Sequence, residues 1–312
     1  MTPRPRVAFL GPEGTFTAEA AQRVAPDAER RPVGSIGEVF EQVRHHGAAV
    51  GVVPIENLIE GSVNATLDEL AFGEPGVYIR GELLIPVALM LLVRPGTQLA
   101  DIRRVRSHPH ALAQCRAWLG RQLPYVEVEA ATSTAEAARQ VAEESDDVPA
   151  VTAAVAPEFA AARYWLEVAG RDIHDHPDNM TRFAVLGRRM AAATGADKTS
   201  LVVFFGEDRP GLLLHVLDEF ALRGINLTKI ESRPAKTTMG EYCILIDCEG
   251  HPTDARLAEA LRSVHRHVAE LKIFGAYRRA DALATSVGPS DTDRAYAEAH
   301  DWYTRLLDDV DD

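Results

Sequence analysis

Apolar residues recur in two rhythms along this chain. Val7-Ala8-Phe9-Leu10, Val50-Gly51-Val52-Val53 and Phe183-Ala184-Val185-Leu186 are unbroken apolar runs of the kind that form buried strands. Ile36, Val39, Phe40 and Val43 instead fall at the three- and four-residue spacing of a helix. Taken in order, the pattern predicts a strand over 6–10, a helix over 17–24, a helix capped by Ser35, a strand over 50–57 and a helix through Leu70 whose cap is Ser62. The stretch from Tyr78 to Val93 is almost continuously β-prone and longer than one ordinary strand, so it reads as a crossing from one lobe to another. The alternation then restarts, with strands near 102–106, 126–130 and 150–153. Helices follow them through Trp118, over 133–143 and from Pro157, and 183–186 is the returning strand. Repeated strand–helix order predicts two α/β lobes.

Residues 188–198 have no periodicity and contain a glycine, which places a linker there. Beyond it the order is strand 199–205, helix 211–223, strands 227–233 and 241–248, helix 253–267 and strand 268–274. That βαββαβ order predicts a ferredoxin-like α+β sandwich. A break at Gly288-Pro289-Ser290 precedes a segment with Tyr296, Trp302, Tyr303, Leu306 and Leu307, either a docked helix or an acidic tail.

Polar groups collect where the predicted strands begin or end. Asp178-Asn179-Met180-Thr181-Arg182 sets an amide, a hydroxyl and a guanidinium at the mouth of the strand carrying Phe183, and Glu56-Asn57 closes the 50–57 strand. Ser107-His108-Pro109-His110 stands at a third strand end, and Gly11-Pro12-Glu13-Gly14 turns between the first strand and helix. In open α/β sheets ligands bind outside such ends, and free N–H groups at a helix start attract anions. Each stretch also has a plainer reading, as a turn, a loop whose side chains satisfy backbone groups, or a cap. His45-His46 reads as a solvated helix end.

With 312 residues the chain is long enough for two or three cores, and 46% hydrophobic with 25% charged residues is ordinary globular composition. A net charge of −13 argues against nucleic acid and against an anionic membrane surface, and no apolar run approaches the roughly 20 residues of a membrane helix. A cytoplasmic protein is the expectation. Cys115, Cys243 and Cys248 form no CxxC pair, so neither a disulfide framework nor a zinc site is called for. Without a Walker lysine or a GxGxxG, nucleotide binding is disfavoured. No cofactor and no metal are expected.

Four stretches together resemble the prephenate dehydratase family. They are Gly11-Pro12-Glu13-Gly14-Thr15-Phe16, Pro54-Ile55-Glu56-Asn57 with Gly61-Ser62-Val63, Ser107-His108-Pro109, and Thr181-Arg182-Phe183. The C-terminal part resembles an ACT domain through Asp208-Arg209-Pro210-Gly211-Leu212-Leu213-Leu214 and Glu231-Ser232-Arg233-Pro234. The resemblance implies a bilobal, periplasmic-binding-protein-like α/β catalytic region over 1–188. Lobe 1 would take about 1–80 plus 178–188 and lobe 2 about 95–175, followed by an ACT domain over 198–277 and a tail over 278–312. His110 stands where the family commonly has glutamine, and residues 288–312 fall outside the resemblance.

The resemblance further implies conversion of prephenate to phenylpyruvate, with feedback by phenylalanine. Thr181 would act on the departing hydroxyl and Arg182 on a carboxylate. Phe183 would pack beneath the site, and Glu56, Asn57, Ser107 and Gln114 would orient the substrate. Phenylalanine would bind among Gly211, Leu212, Leu213, Asn226, Glu231, Ser232 and Arg233 where ACT domains pair, giving a homodimer or homotetramer through ACT and catalytic domains. A carboxylate such as Glu56 beside a dianionic substrate requires either a proton or a cation partner. An arogenate dehydratase and a non-catalytic aromatic amino-acid sensor remain as other readings.

Overall fold

The computed structural model describes residues 4–145, 150–206 and 209–308. Asp208, the first residue of the Asp-Arg-Pro-Gly stretch, and the last four residues of the tail lie outside them. The chain divides into two compact units, Met1–Glu69 with Leu83–Leu186, and Leu70–Glu82 with Gly187–Asp312.

In the first unit, β1 (Arg6–Leu10) leads into α1 (Phe16–Val24), whose start is capped by Thr15 Oγ1 accepting from Ala18 N at 3.1 Å. β2 (Glu29–Val33) follows, and then α2 (Ile36–Arg44), where Ser35 Oγ accepts from Glu38 N as its sequence position predicts. β3 (Val50–Asn57) lies beside β1 in parallel, as β2 does on the other side. Ser62 is not the residue immediately before the helix. It belongs to the short strand β4 (Gly61–Ser62), which doubles back on β3 with Ser62 opposite Glu56, and α3 (Asn64–Phe72) starts two residues later.

The long β-prone run is two strands, β5 (Tyr78–Pro86) and β6 (Met90–Val93), which lie in different sheets. Between them the backbone is held from the side, Val87 N donating to Asn179 O and Ile173 N to Leu89 O. The second sheet adds β7 (Ile102–Ser107), followed by α4 (Pro109–Gln114) and α5 (Arg116–Gln122), and then β8 (Glu127–Ala130) and α6 (Thr134–Ala142). β9 (Val151–Ala156), α7 (Glu158–Tyr164) and β10 (Glu167–Gly170) complete the second lobe, and β11 (Met180–Gly187) returns the chain to β3. This is the bilobal α/β arrangement expected, with strand order β10-β6-β9-β7-β8 in the second lobe.

β6 shows why these strands read as unbroken apolar runs. Leu91 and Val93 pack with Val105, Ala111 and Leu119 on one side, and Met90 and Leu92 with Ala137, Val141 and Ala160 on the other. A strand covered on both faces has no polar position to alternate with. The helix expected through Trp118 breaks at Cys115. There Asp175 accepts from Ala117 N at 3.0 Å and Trp118 N at 3.3 Å and so caps α5 afresh.

In the second unit, β12 (Asp197–Phe204), α8 (Leu212–Ala221), β13 (Leu227–Pro234), β14 (Tyr242–Glu249), α9 (Ala255–His267) and β15 (Glu270–Arg278) make the expected ferredoxin-like fold. The order is β13-β14-β12-β15. Val216 and Phe220 of α8 and Leu257, Ala260 and Val264 of α9 pack on Leu201, Val203, Ile244 and Ile246 of the sheet. β15 also meets β5 in parallel at Gly275 and Ile79, so closely that a Cβ on Gly275 would lie 2.0 Å from Ile79 O. The tail is a helix, α10 (Asp293–Leu307), tied to the start of α9 by Asp293 accepting from Ala255 N at 2.7 Å.

Candidate active site

β3 and β11 run antiparallel with Asn57 opposite Thr181 and Glu56 opposite Arg182. Successive strand residues point to opposite faces, so the register makes two separate pairs. On one face the Asn57 amide donates to Thr181 Oγ1 at 3.0 Å and to Met180 O at 3.3 Å. Its carbonyl Oδ1 accepts from Ile59 N at 3.0 Å and Glu60 N at 3.1 Å. Two N–H donors on Oδ1 and a carbonyl facing Nδ2 leave the amide one orientation. Thr181 Oγ1 therefore accepts a hydrogen bond from Asn57 and keeps its own hydrogen to donate elsewhere.

On the other face Arg182 Nη1 stands 3.5 Å from Glu56 Oε2. The cation partner that a carboxylate at this position requires is thus its cross-strand neighbour. A register shift follows at once, between Arg182 and Phe183. Phe183 is 1% exposed and packs with Val7, Phe9, Val52 and Ile85 in the core of the lobe. It supports the strand end from beneath and touches no open surface.

The second lobe supplies Gln114 from the end of α4. Its Nε2 donates to Glu60 Oε1 at 3.0 Å, its Oε1 accepts from Asn179 Nδ2 at 3.2 Å, and its backbone carbonyl accepts from Asp175 N at 2.6 Å. His110 Nδ1 lies 2.6 Å from Glu60 Oε2. A cleft of about 430 Å³ is lined by Ile59, Glu60, His110, Ala113, Gln114 and His176, and the loop holding Asn57 is one of its walls. Burial and the neighbouring His110 push the His108 imidazole below its ordinary pKa, with Glu60 opposing.

Ser107 is placed differently from Gln114. It is fully buried at the end of β7, and its Oγ donates to Val155 O at 2.5 Å. It joins two strands of the second lobe and does not face the cleft. Cys115, buried beside Asp175, has its thiol pushed up to about 12, chiefly by desolvation, and is no nucleophile. The Gly11–Gly14 turn, read as a possible anion cradle, touches the second lobe, with Tyr164 Oη donating to Glu13 O at 2.8 Å. Sequence reasoning did not single out Glu60. Its only signal was its place in the loop between a polar strand end and a helix.

In the second unit the residues expected to bind an effector fall into separate groups. Gly211 starts α8 with φ +85°, a conformation that glycine adopts freely, and Leu212 is buried behind it. Leu213 and Ser232 share a cavity of about 660 Å³ with Phe72, Phe204 and Tyr242. Glu231 and Arg233, 3.2 Å apart, lie on the opposite face of β13 from Ser232, with Lys229 3.3 Å from Glu231. Asn226 Nδ2 donates to Glu249 Oε1 at 3.2 Å. Among the described residues no group of three or more potential metal ligands occurs, and no helix is long and apolar enough to cross a membrane.

The sequence model of prephenate dehydratase matches residues 7–191, which span all the site residues of the first unit. The chain belongs to the prephenate dehydratase family. An ACT-domain model matches residues 199–266. Within this family the prephenate dehydratase of Mycobacterium tuberculosis H37Rv is 41% identical over 96% of this chain and 94% of its own length. A prephenate dehydratase from Arthrobacter aurescens, solved in complex with L-Phe, is 43% identical, with TM-score 0.89 over 97% of this chain and 99% of its own. A protein described as GqqA, a quorum-quenching acylase, shares the fold at 29% identity and TM-score 0.78, over 88% of this chain and 97% of its own.

Proposed function

We propose that the Asn57–Thr181 pair is the catalytic centre of a decarboxylating dehydration of prephenate to phenylpyruvate. The observation that carries it is the polarity of that hydrogen bond, which leaves the Thr181 hydrogen to be donated. Prephenate takes up one proton and breaks into phenylpyruvate, carbon dioxide and water. The C–C bond to the ring carboxylate breaks, its electrons complete the aromatic ring, and the ring hydroxyl departs. Aromatisation favours the products, so the obstacle is expulsion of hydroxide, which a directed hydrogen bond from Thr181 assists. Arg182 with Glu56 makes a nearly neutral pair beside the site, able to hold a carboxylate by rearranging its own contact. Gln114 offers its second Nε2 hydrogen to the substrate, and Ser107 acts only by holding β7 on β9.

The same proposal assigns residues 1–188 to catalysis and 198–277 to effector binding, although residues 70–82 pack with the second unit. L-phenylalanine is the effector, in keeping with the Arthrobacter complex. It binds where β13 and the Gly211 end of α8 of two copies meet. β13 is an edge strand, and Ile230 on it and Leu213, Leu214 and Leu222 in and after α8 expose apolar surface, which suits pairing into a homodimer or homotetramer. A cytoplasmic location goes with a biosynthetic role.

The test follows phenylpyruvate formation from prephenate by the native protein and Thr181→Ala, with and without phenylalanine, and with arogenate in parallel. Turnover that falls by about 10²- to 10⁴-fold in the variant, and native turnover suppressed by phenylalanine, are expected. Activity surviving Thr181→Ala would move the donor elsewhere. Absence of native turnover would refute the reading, a direct check worth having in a fold that also includes a protein described as an acylase.

A further inference from the structure

Gln114 and His110 are four residues apart on α4, so their side chains lie on one face of the helix and reach the same carboxylate. Glu60 takes both, Oε1 from Gln114 Nε2 at 3.0 Å and Oε2 from His110 Nδ1 at 2.6 Å. The same residue's backbone N–H donates to Asn57 Oδ1 at 3.1 Å. Glu60 is thus joined by its side chain to α4 of the second lobe and by its main chain to the Asn57 amide that orients Thr181. Its carboxylate also sets the direction of a donor chain. Because Oε1 of Glu60 only accepts, Gln114 must present Nε2 to it and Oε1 to Asn179, whose Nδ2 completes the run at 3.2 Å. Asn179 is 2% exposed, so its amide has no water-facing alternative.

We propose that Glu60 is a positioning residue for the reaction, a latch between the loop after β3 and α4 that fixes the Gln114 amide and the Asn57 loop in their working orientations. This rests on the functional reading above. The side chains of His110 and Glu60 are 61% and 39% exposed, so the contact itself adds little stability. Its contribution is geometric, since a carboxylate held by two donors one turn apart cannot slide along the helix. His110, at a position where an amide could make the same bond, serves the latch as a second donor.

The decisive experiment combines two readouts on the full chain. Steady-state kinetics on prephenate should show kcat about tenfold lower in Glu60→Ala with KM changed less than about twofold, below the roughly 10²-fold that a 1 Å misplacement can cost. Glu60→Gln, which keeps one acceptor oxygen, should fall between it and the native protein. His110→Ala should show a smaller loss that His110→Gln recovers, because glutamine restores the donor. Hydrogen exchange should quicken in Glu60→Ala over residues 58–62 and 109–118 and not elsewhere, with the melting temperature unmoved. With a native enzyme that turns over prephenate, an unchanged kcat in Glu60→Ala, a change in KM alone, or unchanged exchange in those segments would each overturn the latch. A native protein without turnover would defeat the functional reading instead, and the exchange comparison would still decide whether the latch exists.

Discussion

Replacing Asn57 by aspartate changes one NH₂ group to an oxygen and almost nothing in shape. The retained Oδ1 still accepts from Ile59 N and Glu60 N, at 3.0 and 3.1 Å in the native protein, so the loop keeps its anchor. The new oxygen faces Thr181 Oγ1 and Met180 O, which the amide contacts at 3.0 and 3.3 Å. An ionised carboxylate there cannot donate. It captures the hydrogen of Thr181 and turns the hydroxyl away from the substrate, while the Met180 carbonyl loses a donor. The lost partner costs about 1–3 kcal/mol of stability. The reversed hydroxyl removes the assistance to the leaving group, a drop of about 10²- to 10³-fold in kcat, within the range for a positioned proton donor. Because a protonated carboxyl can donate again, activity relative to the native enzyme should recover as pH falls toward the ordinary aspartate pKa of about 3.9. Phenylpyruvate formation measured across pH, with urea unfolding as a control, tests both parts. Asn57→Asp turning over within about threefold of native at neutral pH would refute the polarity argument.

Two further outcomes follow from packing and charge. Gly275→Ala places a methyl 2.0 Å from Ile79 O, a clash with backbone that should cost about 3 kcal/mol, the upper end of overpacking; an unshifted urea midpoint would show that the two strands can part freely. The His108 imidazole is held below its ordinary pKa, first by burial and then by His110, so the unfolded chain binds the proton more tightly than the folded one. Stability is therefore whole above the unfolded value of about 6.5 and declines as pH falls through it toward the folded value. His108→Gln should lose less melting temperature than the native protein between pH 7.5 and 5.5, and parallel losses would refute the assignment.

The architecture was legible because strands buried on both faces, such as β6 and β9, stand out as apolar runs, and because Ser35 and Ser133 announce helix starts that the structure keeps. β2 and β10 were not read. Glu-Arg-Arg-Pro-Val has no apolar rhythm and owes its strand to the parallel register with β1, a long-range partner that local pattern does not reveal. Ser62 shows the same limit, since a residue suited to capping was drawn into a two-residue strand by Glu56 opposite it. Within the candidate site, Asn57 and Thr181 could be named from the sequence but their pairing could not, because it depends on the register of strands 124 residues apart. Ser107 looked like its neighbours at other strand ends, yet burial turned it inward.

The run 70–82 lies inside the stretch that matches the catalytic family, yet it packs with the second unit. Lys272 Nζ donates to Ala71 O at 2.8 Å, and Lys198 holds the Glu82 carboxylate at 3.1 Å in a place where that side chain is only 5% exposed. A gene cut ahead of Lys198 would take that cation from Glu82 and leave Ile79 without β15. The ACT domain is therefore a module in sequence but a graft in space. An exchange of this domain should therefore carry residues 70–82 along with it.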